Sequence, residues 1–98
     1  MTTNDQTAAC RVPTQSASRY LQQLCKHWSH KMTVVFSAGE GTIDFPGGSR
    51  LAMRADSETL DLLLTVPAAD ELVRMQDVVA RHLDRFAFRE APLTFDWR

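Results

Sequence analysis

The 98-residue chain predicts a single α+β domain: one antiparallel sheet with two helices packed on one face, in the order β-α-β-β-β-β-α-β. Three observations carry that reading. Two stretches, roughly 14–31 and 67–86, repeat apolar residues at helical spacing. Between them lie four short runs that alternate apolar and polar residues or are rich in β-branched ones, separated by turn-forming residues. A composition of 44% hydrophobic and 23% charged residues suits one small core covered by one helical layer.

Residues 1–7 are polar and are expected to form a disordered tail, with residues 8–98 as the domain. Ala8 to Pro13 reads as the first strand. Thr14 and Ser16 then offer side-chain oxygens at the start of a helix running to about Lys31. Ala17, Tyr20, Leu21, Leu24 and Trp28 fall on one face of that helix and make a core stripe. Met32 to Ser37 is the next strand, and the glycines of Ala38-Gly39-Glu40-Gly41 are expected to supply positive φ in a hairpin loop. Thr42 to Phe45 returns, and Pro46-Gly47-Gly48 turns the chain again. Ser49 to Ala55 directs Leu51, Met53 and Ala55 to one face and Arg50, Ala52 and Arg54 to the other. Leu60 to Val66 has Leu60, Leu62, Leu64 and Val66 inward, with Asp61 and Thr65 outward. Four strands joined by short turns form an antiparallel meander.

Pro67 is expected to open the second helix, with Asp70 and Glu71 complementing the dipole of its first turn. Leu72, Met75, Val79, Leu83 and Phe86 form its apolar stripe, and Asp70 with Arg74 and Asp77 with Arg81 are spaced as ion pairs. After Pro92, the alternation of Leu93, Phe95 and Trp97 with Thr94 and Asp96 predicts a closing strand.

Charge and composition exclude several function classes. A net charge of −1 gives no overall attraction to nucleic acid. No stretch approaches the ~20 apolar residues of a membrane span. The N-terminus has no apolar run of the secretory kind, and the two cysteines, Cys10 and Cys25, are too few to staple a secreted mini-domain. Reduced thiols in a cytoplasm are the expectation.

The chemistry concentrates in "CKHWSHK", residues 25–31. His27 and His30 are three apart and, with His82, could ligate a metal, but the count falls short of a closed tetrahedral set. No cofactor is expected. Cys25 reads as a small semi-buried hydrophobe, Trp28 as a core anchor, and His82 as a hydrogen-bonded histidine at the core margin. No nucleophile–base signature or phosphate-binding glycine loop accompanies them, so no catalytic residue is named.

One surface stands out. From Gln6 to Gly39 there is no acidic residue, while Arg11, Arg19, Lys26 and Lys31 fall there with His27 and His30. Arg19, Lys26 and His30 share the outer face of the first helix, with His27 at its edge and Lys31 at its end. This basic face is either a solvated exterior or a site for an acidic partner or small anion.

The segments "SRYLQQLCKHWSHK" (Ser18 to Lys31), "GTIDF" (Gly41 to Phe45) and "HLDRFAFREAPLTFDW" (His82 to Trp97) resemble those of bacterial domain-of-unknown-function family 2218, over nearly the whole chain. A related domain occurs fused to siderophore-interacting, FAD-dependent ferric reductases. The resemblance therefore implies an accessory domain of iron-siderophore metabolism, with a ferric siderophore or a siderophore-interacting flavin reductase as partner. The element order also resembles the TATA-binding-protein-like arrangement, which implies a fold and no chemistry. Two further readings stay open: a small metal-binding protein using His27, His30 and His82, and a structural interaction module, such as a homodimer through an exposed edge strand.

Overall fold

The computed structural model describes residues 5–98. Most of the expected tail, residues 1–4, lies outside the described residues. Gln6 and Thr7 already belong to β1 (Gln6–Pro13), which begins two residues earlier than the alternation suggested because both pair with β5. The order continues α1 (Ala17–Trp28), β2 (Thr33–Phe36), β3 (Glu40–Asp44), β4 (Arg50–Ala55), β5 (Thr59–Val66) and α2 (Leu72–Phe86).

The five strands form one antiparallel sheet in the spatial order β1-β5-β4-β3-β2, so the meander β2 to β5 is completed by β1. Period-two patterning sets the register. Ala8, Cys10, Val12, Ile43, Leu51, Met53, Leu60, Leu62, Leu64 and Val66 are all buried on the face that both helices cover. α1 lies over β2 to β5, and α2 over β5 and β1. Their apolar stripes are those read from the sequence: Ala17, Tyr20, Leu21, Leu24, Cys25 and Trp28 from α1, and Met75, Val79 and Leu83 from α2, flanked by half-buried Leu72 and Phe86.

Local chemistry explains the element ends. Thr14 Oγ1 accepts from the Ser16 N–H at 3.1 Å, a turn that aims the chain into α1. α1 stops at Trp28, one turn earlier than expected. The Ser29 hydroxyl donates to the Lys26 carbonyl, and the Lys31 and Met32 N–H groups both bond the Trp28 carbonyl. His30 and Lys31 therefore stand on the turn that follows the helix. α2 begins later than Pro67 suggested: Ala69–Glu71 forms a tight 3-10 turn before regular helix starts at Leu72, with no side chain capping Ala68. Arg74 pairs with Glu71 rather than Asp70, whereas Arg81 pairs with Asp77 as expected.

The glycine expectation is corrected. Only Gly47 and Gly48 have positive φ, at 97° and 99°. Gly41 is an inward-facing residue of β3, where a side chain would collide with α1. The closing segment after the cis Ala91–Pro92 bond runs beside β1 and exchanges one pair of backbone hydrogen bonds, between Ala9 and Arg98. It caps that edge with Leu93, Phe95 and Trp97, which pack on the core.

Candidate functional site

The helical phase of α1 that buries Leu24, Cys25 and Trp28 turns Lys26 outward and leaves His27 at the boundary facing α2. The His27 ring centroid lies 5.5 Å from that of His82 and 5.7 Å from Phe86. His82 in turn lies 4.7 Å from Trp28, whose indole meets Phe45 edge-on at 5.0 Å. The two helices thus share a seam floored by aromatic rings. Nδ1 of His82 donates to the Val78 carbonyl at 2.7 Å, which fixes the ring's orientation.

The charges around this seam are all of one sign. His27 is held below its ordinary pKa, first by burial and then by His82, Lys31, Arg85 and His30. No carboxylate contributes. Elsewhere six arginines, Arg11, Arg50, Arg54, Arg74, Arg81 and Arg98, each have an acidic partner, while Arg19 and Arg89 stand apart from the seam without one within ion-pair distance among the described residues. Among the described residues, Lys26, His27, His30, Lys31 and Arg85 have none within ion-pair distance.

The sequence-predicted basic face is therefore divided. His27, His30 and Lys31 gather at the C-terminal end of α1. Arg19 is eight residues back, roughly 12 Å along the axis, where it lines a separate concavity with Ala55 and Asp56. Lys26 lies between them on the exposed side. Arg85 and His82 join the seam from α2. Arg85 was legible: the residues four before and four after it are Arg81 and Arg89, so no helical neighbour at those spacings can neutralise it.

The proposed histidine trio does not converge as a metal set. His27 and His82 meet, but among the described residues no group of three or more His, Cys, Asp or Glu side chains is placed to hold a metal ion. Cys10 and Cys25 are free and buried. Burial pushes the Cys25 thiol up to about 11 and raises that of Cys10 as well, so neither is an available thiolate near neutral pH. What the seam offers is positive charge beside rings tilted to one another, with Trp28 buried beneath and Phe86 half-buried, an arrangement suited to a small anion.

One polar cluster escaped the sequence. Tyr20 on α1 donates to the Glu90 carboxylate, and Thr14 donates to the same group at 3.0 Å. It ties the segment after α2 to the start of α1.

The fold and this seam together define a two-layer α+β domain with one cationic interhelical surface. The chain belongs to a bacterial family described as an uncharacterized protein conserved in bacteria (DUF2218), whose model matches residues 9–98. It is similar to PA4090 from Pseudomonas aeruginosa, known from an NMR structure, at 38% identity over 94% of each chain and a TM-score of 0.78. No curated protein matches the chain.

Proposed function

We propose that this domain is a non-catalytic binding module of the cytoplasm that takes an anionic partner at the α1–α2 seam. Its partner would be a ferric siderophore, or a siderophore-interacting flavin reductase that handles one, as the family resemblance implies. The observation that supports this is the convergence of His27, His30, Lys31, His82 and Arg85 with no acidic partner, in a protein that pairs six of its arginines. Lys31 and Arg85 stand unneutralised beside His27 and disfavour its protonated form, and an anion relieves that repulsion on binding. A catecholate complex would add planar rings to lie against His27 and the half-buried Phe86.

The test is an amide-resolved NMR titration with a gallium-loaded tris-catecholate, a diamagnetic trianion. Saturable shifts centred on His27, His30, Lys31, His82 and Arg85 are expected, and Lys31→Glu with Arg85→Glu should abolish them. Shifts absent from those five residues, or unchanged affinity in the double variant, would remove the seam as the site.

A further inference from the structure

Among the described residues no layer covers the sheet face away from the helices, and its side chains form ordered rows. Strand register places Ala9, Leu63, Ala52, Thr42 and Val35 side by side across all five strands. Val35 is 68% exposed and Leu63 46%. One row along, the same register aligns Arg11, Asp61, Arg54 and Glu40 across β1, β5, β4 and β3. Arg11 bonds Asp61 at 3.0 Å and Arg54 bonds Glu40 at 2.9 Å. Beside this ladder lies a shallow concavity of about 580 Å³, lined by Val35, Thr42, Ala52, Arg54 and Leu63 among others.

The charge order is positive, negative, positive, negative. Read backwards, it is its own complement. A two-fold axis parallel to the strands, between β5 and β4, sets Arg11 against Glu40 of a second copy and Asp61 against the second copy's Arg54. The same operation lays Leu63 over Ala52, large against small, and Ala9 over Thr42. In the third row Arg50 meets Thr65 and Asp44 meets Thr7, so no like charges are opposed. Aligned stacking of two sheets is a common packing mode, and an isologous contact requires this kind of self-complementarity.

We propose that the open sheet face is a homodimer interface, occupied by a second copy of this chain in the two-fold register given by the ladder Arg11–Asp61–Arg54–Glu40. Under this axis four strands overlap, β1, β5, β4 and β3, while β2 with Val35 lies beyond the second copy; at ~4.8 Å spacing and some six residues at ~3.3 Å the footprint is about 380 Å². That places the contact among small interfaces, so the dimer is weak and concentration-dependent. Both helix seams remain exposed on its outer sides, independently of what they bind.

Sedimentation equilibrium of the full chain tests it. The natural sequence should show a reversible monomer–dimer equilibrium. Arg54→Glu, which opposes Asp61 of the second copy, and Leu63→Arg should each weaken dimerisation at least tenfold with an unchanged circular dichroism spectrum. The fully inverted ladder, R11E/E40R/R54E/D61R, should self-associate like the natural chain yet fail to form mixed dimers with it. A monomer at every concentration reached overturns the proposal. So does a dimer that Arg54→Glu and Leu63→Arg leave intact, or an inverted ladder that mixes freely with the natural one.

Discussion

A methyl group placed on Gly41 would stand 2.9 Å from Sγ of Cys25, with Phe36 Cβ at 3.2 Å and Leu21 Cδ2 at 3.3 Å. The absence of a side chain at this one strand position is what lets α1 settle onto β3. Gly41→Ala should therefore destabilise the domain by about 1–3 kcal/mol, the range for overpacking a close-packed interior. Urea unfolding with an unchanged m-value reads this directly. Adding Cys25→Ala should recover part of the loss, because the thiol is the nearest obstacle. Strictly additive effects of the two substitutions would show that the contact between them does not set the spacing.

That residue also shows where the sequence stopped being legible. Periodicity is a one-dimensional signal, and it gave the two helix stripes, the inward sets Leu51/Met53 and Leu60/Leu62/Leu64/Val66, and the meander. A glycine carries no such signal: Gly41 looked like a loop residue beside Gly39, and only the placement of Cys25 and Leu21 reveals a packing role. The end of α1 depended on a hydroxyl-to-carbonyl bond from Ser29, and the partner of Arg74 on a 3-10 turn at Ala69–Glu71. Each basic residue of the candidate site was legible singly: His27, His30 and Lys31 are close in sequence, His82 stood out as a histidine, and Arg85 had no acidic residue four before or after it. That the α1 and α2 groups meet was not legible, because tertiary docking alone joins them. Arg19 shared a helical face with Lys26 but lies too far along the axis to share a site with His27.

The seam should make stability depend on pH. His27 titrates below its ordinary 6.5 in the folded state, because burial and the four basic side chains around it, His82, Lys31, Arg85 and His30, disfavour its protonated form. Between the folded value and 6.5 the unfolded chain binds more protons, so stability is lost as pH falls below about 6.5 and the loss levels off below the folded value. Chemical denaturation at a series of pH values should show this fall, and His27→Gln should reduce it. An anion at the seam should favour protonated His27, so binding should take up protons and tighten as pH drops through the same window. An identical pH slope in the glutamine variant would place the acid-side loss in other groups.

The thiols should be inert while the fold is intact. Cys10 is 4% exposed and Cys25 fully buried, and burial holds the Cys25 thiol near 11. At pH 8 that leaves about a hundredfold less thiolate than an ordinary cysteine. An aromatic disulfide reagent should label neither cysteine within minutes in buffer and both in urea. Rapid labelling of Cys25 without denaturant would mean that α1 lifts from β3 readily, against the tight contact at Gly41.

The hydroxyl of Tyr20 and the carboxylate of Glu90 connect α1 to the segment that follows α2. Glu90 lies on the exposed turn after α2, and the chain beyond it reaches the sheet through a single backbone pair, Ala9 with Arg98. Tyr20→Phe deletes a hydrogen bond to a charged group, worth about 1.5–3 kcal/mol in general, and the exposure of Glu90 favours the lower end. Thr14 still donates to Glu90 in that variant, so the carboxylate is not stranded. Glu90→Ala, which removes the acceptor of both Tyr20 and Thr14, should cost at least as much, and the two together little more than Glu90→Ala alone, because both remove the same bond. Hydrogen exchange distinguishes anchoring from simple packing: the amides of Ala9 and Arg98 should exchange faster in both variants, while those of the β4–β5 ladder keep their protection. Unchanged exchange at Ala9 and Arg98 would show that Leu93, Phe95 and Trp97 hold the closing segment without the Tyr20–Glu90 link.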